Sequence, residues 1–271
     1  MSYATNPADG TRIAFSSLPA RSGDENAPAL MLVHGSALSS AVWRGLGYVA
    51  ALREHYRLLL PDLRGHGRSD TPHDEDAYAM ESIVGDLVAV LDAVGVRQVH
   101  YLGYSFGARA GLALAVTAPQ RLHSLISLGG SASPQRGAMD SLFFPGCVEV
   151  LAQKGMDSFL AEWSNHREVP VDPVTAAAFR ANDTEALVAY FRRSDREPGI
   201  DDATLGEVEV PTMAVAGSED HLRVDDTRFL SRTIPGARLA ILRGRDHAGT
   251  VAAAPEVLSV IGPFLAAHAG P

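Results

Sequence analysis

One serine stands between two glycines in the stretch LGYSFGAR, at positions 102–109. The residues before it, VHYLG, are rich in β-branched and aromatic types, and the residues after it, ARAGLALAV, are strong helix formers. Ser105 is therefore predicted to lie where a strand turns sharply into a helix, because Gly103 and Gly107 have no Cβ atoms to collide there. The pattern GxSxG at such a turn is typical of a nucleophilic serine whose hydroxyl points outward.

A serine hydroxyl is a weak nucleophile, so it needs a base within hydrogen-bond reach and an acid that orients the base. Among the ten histidines, His247 is the strongest candidate for the base, because it closely follows the predicted strand ARLAILRG. The candidates for the acid are Asp220 and Glu219, which follow the predicted strand PTMAVAG, and Asp246. Asp246 adjoins His247 and is poorly placed to turn back onto its ring.

These candidates need a scaffold that brings strand ends together. Buried strands are predicted at 29–35, 56–62, 99–103, 122–130, 211–217 and 237–244, with a shorter strand at 12–15. Helices are predicted between them, at 41–54, 78–94, 106–118, 225–233 and 253–267. Buried strands that alternate with helices indicate an α/β fold in which a mainly parallel sheet is flanked by helices.

The alternation stops between residues 133 and 209, where no strand-like apolar run occurs. Short helices are predicted in this segment at 139–153, 156–163, 174–181 and 184–191. We therefore expect a core in two parts, residues 1–132 and 210–271, with a helical cap or lid at 133–209 inserted before the last two strands.

The composition limits the partners and the compartment. The 271 residues are 46% hydrophobic, which is enough for one large core, and the formal net charge of −9 without a basic run disfavours nucleic acid and anionic membranes. Cys147 is the only cysteine, so an intrachain disulfide is excluded, and no metal or cofactor is expected. The chain begins without a signal-peptide pattern, so we expect a cytoplasmic protein with a small-molecule partner. Its oligomeric state is not indicated.

The loop RGHGRSD after the strand at 56–62 is interpreted as a turn. His34 and His66 are interpreted as formers of structural hydrogen bonds, and Arg64 or Arg68 as solvated side chains.

Several motifs in this order resemble those of the α/β-hydrolase-fold serine hydrolases, in particular lidded esterases and lactonases. Beside the elbow GYSFG, the residues VHG at 33–35 resemble the oxyanion loop of that family. DLRGHGRSD at 62–70 resembles its Gly-rich turn, and GSED at 217–220 the turn whose fourth position usually carries the acid. The resemblance extends over nearly the whole chain.

This resemblance implies a serine hydrolase that cleaves a small or medium apolar carboxylic ester, lactone or thioester through an acyl-enzyme. Ser105 would be the nucleophile, His247 the base and Asp220 the acid. The backbone N–H groups of Phe106 and Ser36 would form the oxyanion hole. The candidates for binding the substrate are Leu38, Tyr104, Phe143, Phe144 and Trp163.

Two alternatives stay open. C–C bond hydrolases of the meta-cleavage type use the same three residue types on this fold, although their oxyanion loop commonly has the pattern HGxGPG and the sequence here is HGSAL. A ligand-binding protein without catalysis could also keep the fold. Epoxide hydrolases and haloalkane dehalogenases are disfavoured, because members of those groups carry a carboxylate at the elbow.

Overall fold

The strands of the chain assemble into a single sheet in the computed structural model of the protein, which describes residues 1–24 and 26–268. In chain order the strands are β1 (Ser2–Thr5), β2 (Arg12–Leu18), β3 (Ala29–Val33), β4 (Arg57–Pro61), β5 (Val99–Tyr104), β6 (Leu122–Leu128), β7 (Thr212–Gly217) and β8 (Arg238–Leu242). Across the sheet they lie in the order β1-β2-β4-β3-β5-β6-β7-β8. Strand β2 runs antiparallel to both of its neighbours, and all other pairs are parallel.

The helices connect these strands and cover both faces of the sheet. They are α1 (Ala41–Gly45), α2 (Tyr48–Leu52), α3 (Met80–Ala93), α4 (Phe106–Thr117), α5 (Ala138–Leu142), α6 (Cys147–Arg167), α7 (Pro173–Arg180), α8 (Thr184–Ser194), α9 (Asp202–Gly206), α10 (Val224–Thr233), α11 (His247–Ala252) and α12 (Ala254–Ala267). Helices α5 to α9 lie between β6 and β7, and we call them the inserted helices. The predicted fold class is therefore confirmed, whereas the division into domains stays a prediction.

Several elements differ from the prediction, among them the following three. Strand β1 was not predicted, because only one of its four residues is buried and its position depends on pairing with β2. The helix predicted at 41–54 is divided into α1 and α2 by Gly47, whose φ of 89° does not fit a helix. The break predicted between residues 153 and 156 is a kink inside α6, at Gly155 with φ 77°.

The core lies on both faces of the sheet. All residues of β3 and β5 are buried, as expected for parallel strands covered by helices on both sides. Met31 and Val33 face the core that contains α3 and α4, and the alternate residues Leu30 and Leu32 face the core that contains α2 and α12. None of the helices in residues 1–24 and 26–268 is long and apolar enough to cross a membrane.

Arg64 is fully buried, which contradicts its interpretation as a solvated residue. Its Nε and Nη2 donate to the two carboxylate oxygens of Asp86, each at 2.6 Å, and its Nη1 donates to Asp9 at 2.7 Å. Asp86 accepts a further hydrogen bond from the amide of Asn6 at 2.8 Å. Because Asp9 and Asn6 belong to the turn between β1 and β2, this buried ion pair fixes that turn to α3.

Candidate active site

Ser105 occupies the single position between the end of β5 and the start of α4. Its backbone has φ 54° and ψ −115°, a conformation that residues other than glycine rarely adopt and that stores strain. Its N–H donates to the carbonyl of Leu128 at the end of the neighbouring strand β6, at 2.9 Å. The sharp turn predicted from the sequence is therefore present at this residue.

The two glycines that flank the serine are required by close backbone contacts. A Cβ atom on Gly103 would collide with the carbonyl group of Gly107, and a Cβ atom on Gly107 would collide with the carbonyl oxygens of Val33 and His34. Backbone atoms cannot move aside as the end of a flexible side chain can. Glycine is therefore required at both positions. It allows helix α4 to pack closely against strand β5 and against the loop after β3.

Three predicted residues form one row of hydrogen bonds. The distance from Ser105 Oγ to His247 Nε2 is 3.0 Å, and the distance from His247 Nδ1 to Asp220 Oδ2 is 2.7 Å. Asp220 follows β7 and His247 begins α11 after β8, so the residues come from the carboxyl ends of parallel strands, which meet at one edge of the sheet. An imidazole that donates from Nδ1 to the carboxylate leaves Nε2 free to accept the serine proton.

The structure separates Asp220 from the other candidate acids. The side chain of Asp220 is 1% exposed, whereas Glu219 and Asp246 are exposed. Asp246 caps α11, because its Oδ1 accepts a hydrogen bond from the N–H of Gly249 at 2.6 Å. Its carboxylate therefore caps the N-terminus of the helix that carries His247, and the imidazole of His247 is hydrogen-bonded to Asp220 instead.

Tyr104 holds the imidazole of His247 from one side. The two rings are stacked, with centroids 5.1 Å apart and an angle of 30° between their planes. The Tyr104 hydroxyl donates to the carbonyl of His247 at 3.2 Å. Tyr104 was predicted as a substrate-binding residue, and in the structure it lies against His247.

The loop after β3 lies directly against the serine. A Cβ atom on Gly35 would stand 3.0 Å from the Cβ of Ser105, so no larger residue fits there without a shift. Ser36 and Phe106 both line the cavity that Ser105 borders. The structure thus brings the two predicted oxyanion donors to the serine. The hydroxyl of Ser36 lies 2.5 Å from the hydroxyl of Tyr190, which belongs to α8.

Two buried histidines fix this loop, as expected from the sequence. His34 Nε2 accepts from the N–H of Leu63, and His66 Nε2 accepts from the N–H of Ala37, each at 3.0 Å. Burial lowers the pKa of both imidazoles, and that of His66 falls to about 3. Both rings are therefore neutral near pH 7, as an acceptor nitrogen requires.

The cavity beside Ser105 is small, and its wall is more polar than expected. It is lined by Ser36, Ser105, Phe106, Arg109, Ser131, Gln135, Met139, Leu142, Ser194 and Arg223. The five residues predicted to bind the substrate, Leu38, Tyr104, Phe143, Phe144 and Trp163, are all described by the structure, and none of them is in this wall.

Most of these five residues pack elsewhere. Phe143 and Phe144 are buried among aromatic rings of the inserted helices, and Trp163 is 5.1 Å from Phe143 between centroids. The rings of this group are Phe143, Phe144, Phe159, Trp163, Phe179 and Phe191. Leu38 is partly buried against the cores of both faces. The aromatic residues of the insertion therefore hold its helices together.

Sequence reasoning missed Arg109 and Arg223 as residues of the site, and it did not single out Tyr190 from the other aromatic residues of the insertion. A signal existed for Arg109, because it follows Ser105 by four positions and thus by one helical turn in GYSFGAR. No local pattern marks Tyr190, which reaches Ser36 from 154 positions further along the chain.

Comparisons with known proteins agree with this fold. The sequence model described as alpha/beta hydrolase fold matches residues 28–248. A relative from Stutzerimonas stutzeri (strain A1501), named "Putative carbamate hydrolase RutD", is 28% identical over 258 residues, which cover 91% of this chain and 95% of the relative. A 2-hydroxymuconate semialdehyde hydrolase from Pseudomonas putida is 28% identical over 255 residues, which cover 89% and 88% of the two chains.

The fold is also similar to solved structures. The crystal structure of the enol-lactonase from Burkholderia xenovorans LB400 superposes with a TM-score of 0.81 at 23% identity, covering 98% of this chain and all of the other. The fold and these relatives define a hydrolase of the α/β class. The chain belongs to the α/β-hydrolase fold family.

Proposed function

We propose that the protein is a serine hydrolase that cleaves a carboxylic ester, lactone or thioester through an acyl-enzyme intermediate. The observation that carries this proposal is the continuous row from Ser105 Oγ through His247 to Asp220, with distances of 3.0 and 2.7 Å. Distances of this size allow direct proton transfer between the serine and the imidazole. A small-molecule substrate agrees with the family.

In the first half of the reaction, Ser105 Oγ attacks the carbonyl carbon of the substrate while His247 Nε2 takes the hydroxyl proton. The tetrahedral intermediate collapses when His247 returns this proton to the leaving group, and the acyl-enzyme remains. In the second half, a water molecule gives its proton to His247 and attacks the acyl carbon. Collapse releases the acid and restores Ser105.

Asp220 has two tasks in this scheme. It fixes the tautomer in which Nδ1 of His247 carries the proton, and it stabilises the imidazolium that forms during each half-reaction. Burial suits both tasks, because few water molecules compete for its carboxylate oxygens.

The oxyanion is assigned to the N–H groups of Phe106 and Ser36. Phe106 is the first residue of α4, so its N–H is free of a partner within the helix and lies at the positive end of the helix dipole. Losing one such donor typically raises the barrier by about 3 kcal/mol. We also propose that residues 133–209 act as a lid, since Tyr190 of this segment reaches Ser36.

C–C bond hydrolysis is kept as a second candidate, because a relative at 28% identity is named 2-hydroxymuconate semialdehyde hydrolase. The two reactions are distinguished by comparing 4-nitrophenyl butanoate with a vinylogous diketo acid. If the protein turned over the diketo acid faster than the ester, C–C bond hydrolysis would become the proposed function.

The proposal is tested with a fluorophosphonate probe and intact-mass spectrometry, followed by peptide mapping. We expect one adduct on Ser105 in the wild type and none in Ser105→Ala. The control variant Ser141→Ala changes a serine of the inserted helices whose hydroxyl donates to Gly137, and it should be labelled like the wild type. An unlabelled but folded wild type that also fails to cleave 4-nitrophenyl butanoate would favour the ligand-binding alternative.

A further inference from the structure

Two arginine side chains line the cavity beside Ser105. Arg109 lies one turn after Ser105 on α4, and its N–H donates to the carbonyl of Ser105 at 3.1 Å. Residues four positions apart lie on the same side of a helix, so Arg109 faces the same space as the serine. Arg223 comes from a different part of the chain, the turn between Asp220 and α10. Two cations from separate elements thus share one small cavity.

The guanidinium of Arg109 is only partly used by the protein. The residue is 5% exposed, and its Nη1 donates to the carbonyls of Ser131 and Ser133 at 3.2 and 2.8 Å. Its Nε is buried, and no residue in the described part of the chain accepts a hydrogen bond from it. Within the same residues, no carboxylate forms an ion pair with Arg109.

The acidic groups that influence the charge of Arg109, Glu197 and Asp226, are engaged with other partners. Glu197 forms an ion pair with Arg193 at 2.5 Å. Asp226 accepts from the hydroxyl of Ser133 at 2.9 Å and pairs with Arg223 at 3.4 Å. Burial lowers the pKa of Arg109 to about 10, so its side chain is still a cation near pH 7. A buried cation with free donors is unfavourable unless an anion joins it.

We propose that Arg109, with Arg223 beside it, binds a carboxylate of the substrate, so that the preferred substrate is a short ester, thioester or lactone carrying a second, free carboxylate. A guanidinium suits this task because its donors match the two oxygens of a carboxylate. The inference rests on the proposed function and replaces the apolar acyl group expected from the sequence. It agrees with a cavity wall that contains serines and a glutamine besides the two arginines.

The free carboxylate belongs to the acyl half of the substrate. The cavity wall contains Ser105 and both proposed oxyanion donors, which contact the acyl carbon and its oxygen, but not His247. His247 gives its proton to the leaving group, so the leaving group lies on the side of the imidazole. The acyl chain is then directed toward Arg109.

The test compares monomethyl glutarate with methyl pentanoate, which differ only in a terminal carboxylate in place of a methyl group. We expect the wild type to prefer the glutarate ester in kcat/KM by about tenfold or more. Arg109→Met should lose about thirtyfold on the glutarate ester, mainly in KM, and about threefold or less on methyl pentanoate. Arg109→Lys should recover part of this loss. Arg180→Met removes an exposed arginine that pairs with Asp157 outside the cavity, and it should match the wild type on both esters.

An equal loss on both esters in Arg109→Met, or a wild type that prefers methyl pentanoate, would overturn the carboxylate site. Methyl pentanoate turnover and fluorophosphonate labelling test the proposed function separately, because neither compound carries a carboxylate. Arg223→Met leaves α4 unchanged, so this variant tests the carboxylate site if the Arg109 variants do not fold. It should lower kcat/KM for the glutarate ester selectively.

A binding measurement keeps the test independent of turnover. Calorimetry with glutarate on Ser105→Ala should detect binding that Arg109→Met or Arg223→Met in the same background weakens about tenfold or more. Glutarate binding that neither variant changes, or no binding to Ser105→Ala, would refute the site.

Discussion

The hydroxyl of Tyr190 lies 2.5 Å from the hydroxyl of Ser36, which joins helix α8 to the loop after β3. The Tyr190 ring is 1% exposed and packs edge-on against the rings of Phe106 and His66, at 4.8 and 5.1 Å between centroids. One side chain of the inserted helices therefore contacts both residues proposed as oxyanion donors, and also His66, which fixes the loop that carries Ser36. The position of these helices and the geometry of the oxyanion site are physically coupled.

Tyr190→Phe removes only the oxygen of this contact. We expect kcat for a neutral ester to fall about tenfold, corresponding to about 1.4 kcal/mol, because Ser36 loses the partner that fixes its position. The free energy of unfolding should fall by about 1 kcal/mol. Steady-state kinetics and urea unfolding measure the two quantities.

Ser36→Ala provides the matching change on the other side of the hydrogen bond. If the two hydroxyls act together, the double variant should be no slower than the slower single variant. Additive losses in kcat would show that the hydroxyl of Tyr190 does not act through Ser36.

Asp220→Asn should lower kcat by about 10⁴, because the amide can no longer favour the imidazole tautomer that accepts the serine proton. Asp246→Asn is a matched control at the residue next to His247. Asparagine also caps helices well, so kcat should change about threefold or less. Ester hydrolysis by the two variants decides between the acids, and the reverse order of activities would assign the role to Asp246.

Gly103→Ala should destabilise the protein by about 3 kcal/mol or more, because the added methyl group collides with the backbone of Gly107. Gly262→Ala adds the same methyl group inside α12, where no atom lies within 4 Å of the new Cβ. It should stabilise the protein by up to about 1 kcal/mol through helix propensity. Urea unfolding compares the two variants, and equal stabilities would contradict the collision.

The pKa of His66 in the folded protein predicts how the free energy of unfolding depends on pH. Burial lowers its pKa to about 3 in the folded protein, and the unfolded chain has a value of about 6.5. The unfolded state therefore binds more protons between these values. The stability contributed by the neutral imidazole is complete above about pH 6.5 and decreases toward pH 3, by up to about 1.4 kcal/mol per pH unit.

The variant His66→Gln keeps an oxygen that can accept from Ala37 but cannot take up a proton. We expect it to be less stable than the wild type at pH 7 and to lose less stability between pH 6.5 and 4.5. His55→Gln, at an exposed residue, should keep the wild-type slope. Urea unfolding at several pH values measures the slopes, and parallel curves for His66→Gln and the wild type would refute this assignment.

Local sequence patterns were sufficient to predict the fold. They also pointed to Ser105, His247 and the acid that follows β7 as the residues that the structure joins by hydrogen bonds. The elbow around Ser105 is a local structure, and its glycines are required by contacts that a strand-to-helix turn produces. His247 and the pair Glu219 and Asp220 could be found because they follow apolar runs that predict strands, and the resemblance of GSED to the family's turn favoured Asp220. Parallel strands end at one edge of a sheet, so the order of elements already indicates that these residues meet.

Boundaries inside the inserted helices were less predictable. The kink at Gly155 does not end α6, whereas the residues after Leu142 do separate α5 from α6. The chain turns at Pro145 and at Gly146, whose φ is 75°, and Phe143 and Phe144 just before them pack among the other aromatic rings. The same packing removes from the cavity the side chains that looked most suitable for an apolar substrate.

The sequence by itself determined the α/β architecture and the nucleophile, base and acid that we propose, because each depends on a local pattern at the end of a strand. Only the tertiary structure decided what surrounds the serine. Arg109 and Arg223 line the cavity, Tyr190 contacts Ser36 in its wall, and the three residues come from separate segments that the packing of whole helices brings together. The contacts of Arg223 and Tyr190 leave no periodic pattern in the sequence, since they arise between elements, whereas Arg109 lies one helical turn after Ser105 in the same segment.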